Sequence, residues 1–198
     1  MAGAETVSRL LRELEQGREQ AFDELFSIVY VELRAIAHSQ RRKWPGRETL
    51  NTTALVHEAY LKLAAQADPS WSSKAHFLAA AAKAIRHVLL NYVRDQGAQK
   101  RGGGWRQASL HSAEALPKDG APDTEAEMLI SLDEALRRLA AFSERLSRIV
   151  ECRFFGAMTI EETAVALNVS TATVTRGWAT AQAWLYRELT REAGPAPA

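Results

Sequence analysis

TIEETAVALNVSTATVTRGWATAQAWL, residues 159–185, reads as two short helices joined by a tight turn. Thr159 followed three residues later by Glu162 is a capping-box start. Ile160, Ala164 and Leu167 keep helical spacing, with alanine where a second helix must cross closely. Asn168-Val169-Ser170 supplies the turn, because Asn tolerates the left-handed conformation and Ser170 can cap the second helix. In that helix Val174, Trp178, Ala181 and Leu185 form one apolar stripe. The other face carries Thr171, Thr173, Thr175, Arg176 and Thr180, short donors and one arginine suited to phosphates and base edges in a major groove. The pattern predicts a helix-turn-helix; taken alone it also fits an ordinary antiparallel helix pair with a polar outer face.

The surrounding chain has 198 residues, enough for one medium domain or two small ones. A 46% hydrophobic and 25% charged composition is that of a soluble globular protein. The net charge of +1 announces no global basic field, but the charge is unevenly spread. From His76 to Arg106 the bases Lys83, Arg86, Arg94, Lys100, Arg101 and Arg106 face Asp95 alone. From Gln107 to Glu127 the sign reverses, with Glu114, Asp119, Asp123, Glu125 and Glu127 against Lys118. A basic face followed by an acidic tether is the expectation. Cys152 is the only cysteine, which excludes a disulfide framework and a thiolate cluster and marks a small core residue. The charged, amphipathic start MAGAETVSRLLREL is unlike a signal peptide, and no long apolar run predicts membrane insertion, so a cytoplasmic location is expected.

Apolar spacing predicts a first helix through Val7, Leu10, Leu11 and Leu14, stopping at Gly17. A second spans about Gln20–His38, with Phe22, Leu25, Phe26, Val29, Leu33 and Ile36 on one face. QRRKWPGRET, residues 40–49, reads as a basic connector. A third helix comes next over about Thr53–Ala67, then a loop over 68–73 and a fourth helix over about Lys74–Gln96. Periodicity ends at Gly102-Gly103-Gly104, and residues 102–122 read as a flexible linker. A helix through Leu129, Leu132, Leu136 and Leu139, another from Ser143 to Phe155, and the helix-turn-helix complete the chain, with 193–198 as a disordered tail. The expected fold is all-α: an N-terminal helical domain (1–101), the linker (102–122) and a C-terminal helix-turn-helix domain (123–192).

FDELFSIVYVELRAIA (22–37), ALVHEAYLKLA (54–64), HFLAAAAKAIRHVLLNYVRDQGAQKR (76–101) and residues 153–189 occur in an order and separation that resemble the extracytoplasmic-function sigma factors of bacteria. These are minimal promoter-recognition subunits of RNA polymerase, and the similarity covers about Ala21 to Leu189. It implies a non-enzymatic initiation factor that needs no cofactor and no metal, with core RNA polymerase (β′ clamp and β flap) and promoter DNA as partners. The third helix would meet the β′ clamp through His57, Glu58, Leu61 and Lys62 while Val56, Tyr60 and Leu63 pack inward, although a plain amphipathic helix explains the same pattern. His57-Glu58 also begins a zinc-protease pattern, but Leu61 stands where its second histidine is required.

The resemblance further implies that the fourth helix and the loop before it handle the minus-ten element. Lys83, Arg86, His87, Asn91, Arg94, Lys100 and Arg101 would line the opened strand, with Trp71 beside a flipped base or, equally, anchoring the core. His87 replaces a common asparagine of relatives. The last helix would read the minus-thirty-five element through Ser170, Thr171, Thr173, Thr175 and Arg176, Thr175 standing where relatives carry lysine. The acidic tether would mimic nucleic acid in the RNA-exit region, or act as a spacer. Where typical members are acidic, this chain has Asn51-Thr52-Thr53-Ala54. A Ser/Thr kinase acting on Thr52 or Thr53, or less favourably Thr49, would restore about two negative charges; alternatively Thr53 caps the third helix. Control by an anti-sigma protein is a further possibility of the resemblance. The competing function is a polymerase-independent helix-turn-helix regulator with an N-terminal sensing domain.

Overall fold

The computed structural model describes residues 2–43, 51–65, 71–100 and 124–192. Thr49, Arg101, the 102–122 stretch and the 193–198 tail lie outside the described residues, as does the Lys100 side chain. The architecture is all-α, with eight α-helices and no strand among the described residues. None of these helices is long and apolar enough to cross a membrane.

In the N-terminal half, α1 (Ala2–Glu15) buries Val7, Leu10, Leu11 and Leu14 against α2 (Gln20–Lys43). The chain reverses at Gly17, whose φ of +83° is open to glycine at little steric cost. Helix α2 runs five residues past the predicted end, so Gln40 and Lys43 belong to the helix rather than to a connector. Helix α3 (Thr52–Ala64) starts one residue earlier than expected. Its N-cap is Asn51, whose side chain accepts the Ala54 N–H at 2.8 Å, so capping is not the role of Thr53. Helix α4 (Lys74–Lys100) packs along α3 and carries an alanine run in which Ala81, Ala82 and Ala84 are buried.

In the C-terminal half, α5 (Thr124–Phe142) and α6 (Glu144–Val150) form an antiparallel pair, with Ser143 capping α6. The predicted helix Ser143–Phe155 does not continue regularly. It widens into a π-helical turn, Glu151–Phe155, closed by a hydrogen bond from Gly156 N–H to the Glu151 carbonyl five residues back. Helix α7 (Ile160–Leu167) begins on a complete capping box: Thr159 accepts from Glu162 N–H at 3.1 Å, and Glu162 accepts from Thr159 N–H at 2.7 Å. Asn168 adopts φ 51°, ψ 51°, the left-handed turn read from the sequence, and leads into α8 (Thr171–Glu192). Val174, Ala181 and Leu185 are buried on the predicted stripe, and Trp178 is half-buried beside them.

The two halves are in contact. Helix α4 packs against α5, α7 and the π-helical turn. Ala75 and Ala79 on α4 lie against buried Cys152, Met158 and Ala166. A Cβ placed on Gly156 would stand 3.1 Å from the Ala82 Cβ, so small residues on both sides set how closely the backbones approach.

Candidate nucleic-acid and polymerase interfaces

Helix α8 presents its polar face to solvent. Ser170, Thr171, Thr175, Arg176 and Thr180 are exposed and Thr173 is half-buried. Several hydroxyls are engaged locally. Ser170 Oγ accepts from Thr173 N–H at 3.2 Å and lies 2.9 Å from Thr173 Oγ1. Thr175 Oγ1 donates to the Thr171 carbonyl at 3.0 Å, and Thr180 Oγ1 to the Arg176 carbonyl at 2.9 Å. These bonds fix rotamers while leaving each oxygen able to accept or bifurcate. Arg176, one turn into the helix, projects the face's one formal charge.

On α3, His57, Leu61 and Lys62 are exposed and Glu58 is half-buried, forming one strip. Val56, Ala59 and Leu63 point into the core. Tyr60 is half-buried and donates its hydroxyl to Asp23 at 2.6 Å, and this bond to the carboxylate raises its pKa.

The α4 residues expected to face an opened strand are divided. Lys83 and Asn91 are exposed, and Arg94 is 41% exposed. Arg86 is not a free cation: it is 6% exposed, donating to Asp133 of α5 at 2.6 Å and to Glu151 of the π-helical turn at 2.5 Å. Asp133 also receives Arg94 at 3.3 Å and Arg137 at 2.8 Å. The reason lies in helical position, since Arg86 falls one turn from Ala82 and from Leu90, both buried. Trp71 likewise is core. It is 4% exposed, packed edge-on against Phe77 with ring centroids 4.9 Å apart and 6.0 Å from Phe22, so its indole face is not open to a base.

A cavity of about 590 Å³ lies between the halves. His76, Lys83 and His87 of α4 line one wall, and Glu144, Arg148 and Glu151 the other. Burial holds the His87 imidazole below its ordinary pKa, reinforced by Arg86 and Lys83; burial and then Arg148 do the same to His76. Cys152, also on this wall, has its thiol pushed up to about 12 by burial and is an unreactive core group.

Two residues outside the sequence expectations complete the contact. Gln40 is fully buried, and its Nε2 donates to the carbonyls of Phe154 and Phe155 at 2.7 and 2.9 Å. Lys43 Nζ donates to the Phe154 carbonyl at 2.5 Å and sits 4.0 Å from that ring's centroid. The π-helical turn leaves these carbonyls in need of partners, and α2 supplies them. Local pattern gives no sign of this, because donor and acceptor are more than a hundred residues apart.

A family model described as ECF sigma factor matches residues 4–191, nearly the whole chain. No curated protein and no solved structure matches it. The match takes in both the α7–turn–α8 segment and the α3–α4 surface, and family members are DNA-binding transcription initiation factors rather than enzymes. The chain therefore belongs to the extracytoplasmic-function sigma factor family.

Proposed function

We propose that this sigma factor directs core RNA polymerase to a small promoter set by dividing the work between its halves. Residues 1–101 dock on the β′ clamp through His57, Glu58, Leu61 and Lys62 and handle the minus-ten strand through α4. Residues 123–192 read the minus-thirty-five duplex, contact the β flap, and are tethered by 102–122. The observation that carries this reading is the polar face of α8: Thr171, Thr175 and Arg176 stand in solvent while Val174 and Ala181 are fully buried. A helix held so firmly on one side can enter a major groove with the other. Transcription places the protein in the cytoplasm. The test is reconstitution with core polymerase on a genomic DNA library, mapping transcript starts. New starts that share two spaced elements are expected only when the chain is present; an unchanged start map defeats the proposal.

Phosphorylation of Thr52 or Thr53 is the proposed gate. Thr53 is exposed, and Thr52 is half-buried in a cavity of about 350 Å³ that Arg34 and His38 of α2 also line. A phosphoryl group at Thr52 would meet the Arg34 guanidinium and return negative charge to the start of α3. Polymerase affinity should rise on phosphorylation of the wild type and stay flat in Thr52→Ala/Thr53→Ala. Equal affinity of the modified and unmodified wild type removes the gate while leaving the promoter role intact.

A further inference from the structure

We propose that the cavity of about 590 Å³ is a binding site for a nucleoside polyphosphate, a small-molecule ligand in addition to the macromolecules a sigma factor handles. The site stands apart from the promoter reading, and its test needs neither DNA nor polymerase.

Charge is the first support. Cations converge on the cavity from three elements: Lys62 from α3, Lys83 from α4 and Arg148 from α6. None of the three has an ion-pair partner among the described residues. Of the two carboxylates on the wall, Glu151 is already neutralised by Arg86 at 2.5 Å, which leaves Glu144 against three cations. The same charges bear on the histidines between them. Burial first, then Arg86, Lys83 and Lys62 against an opposing Asp133, disfavours a proton on His87, and burial and Arg148 do so on His76. Cations that would repel one another in open solution are thus gathered by the fold around one space, and a polyanion placed there turns that repulsion into attraction. Cys152 adds no competing negative charge, because burial pushes its thiol up to about 12.

Size and lining are the second support. The volume falls within the ~300–1,000 Å³ usual for small-molecule clefts. A phosphate chain alone would leave much of it empty. Ala79, Ala80 and Ala84 of α4, Ala140 of α5 and Leu167 of α7 give part of the wall an apolar surface that bears no polar side-chain group, suited to a base or a ribose. Glu144 is an acceptor only, so it calls for a donor on the ligand, which a base amine or a ribose hydroxyl supplies and an inorganic polyphosphate does not. Several negative charges at one end and an apolar, donor-bearing body at the other are what these walls match together. Because the lining comes from helices of both halves, only the folded chain presents it, and occupancy must stabilise the fold by mass action.

The full-length protein is titrated with adenosine triphosphate, guanosine triphosphate and inorganic tripolyphosphate in magnesium-free buffer, by isothermal calorimetry and by thermal unfolding. At least one nucleotide should bind more tightly than tripolyphosphate. At about a hundredfold excess over its Kd it should raise Tm by about 5–10 °C. Lys83→Ala/Arg148→Ala, shown folded by circular dichroism, should bind that nucleotide at least about tenfold more weakly. Ala140→Phe, which keeps every cation but fills the space, should weaken binding comparably. Tripolyphosphate binding as tightly as both nucleotides overturns the nucleoside assignment. Nucleotide binding that either folded variant retains in full puts the ligand on another surface and overturns the site. Affinity weaker than about 1 mM for all three probes overturns the proposal outright. Each of these failures leaves the promoter role untouched.

Discussion

Arg86 on α4 and Asp133 on α5 meet at 2.6 Å, their side chains 7% and 2% exposed. A cation from one half of the molecule thereby neutralises an acid from the other, out of contact with bulk water. The pair is held further by Glu151 on one side and by Arg94 and Arg137 on the other. Removing Arg86 strands Glu151 and leaves Asp133 to two partly exposed arginines. Arg86→Ala should therefore cost roughly 3–5 kcal/mol in urea denaturation. A loss below about 1 kcal/mol would mean that water already reaches the carboxylates.

Gly156 provides a second handle on the same contact. An added Cβ would sit 2.6 Å from the Cys152 carbonyl oxygen, a backbone atom that cannot swing aside, and 3.1 Å from Ala82. Gly156→Ala should destabilise the chain by about 1–3 kcal/mol and loosen α4 from the π-helical turn. Thermal unfolding gives the first quantity, and amide exchange along α4 reports the second. Unchanged exchange would place the strain within the turn instead.

Duplex recognition should track the sparse charge of α8. Arg176→Ala is expected to weaken binding to a minus-thirty-five duplex and to lower the slope of log affinity against log salt by about 1. Thr175→Lys should do the opposite. Fluorescence anisotropy over a salt series separates the two, and an unaltered slope in both variants would put the duplex on another surface.

Acid should weaken the fold before the carboxylates titrate. His87 is held below the ordinary imidazole value of 6.5 by burial, then by Arg86, Lys83 and Lys62, with Asp133 opposing; His76 is held below it by burial and Arg148. Between 6.5 and those lowered values the unfolded chain binds more protons than the folded one, so stability falls as pH drops through that window. Denaturation midpoints should be level above about pH 7.5 and decline below about 6.5. His87→Gln should flatten part of that decline; an identical pH profile would remove His87 as its source.

The sequence told more about local geometry than about long-range pairing, for physical reasons visible at particular residues. The capping box at Thr159 and Glu162 and the left-handed Asn168 depend only on neighbours, and both are present as the spacing predicts. Cys152 lies in the core, as an uncharged residue in an apolar run should. The cap of α3 was misplaced: Thr53 was the expected candidate, whereas Asn51, two residues earlier, accepts the Ala54 N–H. Arg86 and Asp133 carried a signal in their spacing. Asp133 lies one turn from buried Leu129 and from buried Leu136, so both charges fall on buried stripes, and a charge on a buried stripe calls for a partner. Nothing local could say which partner. The widened turn at Glu151–Phe155 is likewise silent in the sequence, since ECRFF suits an ordinary helix as well.

That turn has a consequence for how such a molecule could change. A π-helical turn holds about one residue more than an α-helical turn, so loss of one codon between Glu151 and Phe155 would restore ordinary pitch with the flanking segments kept close to their present register. Such a deletion would shorten the turn beneath Arg86 and Gln40 by one residue while leaving the α3 strip and the polar face of α8 unaltered in composition.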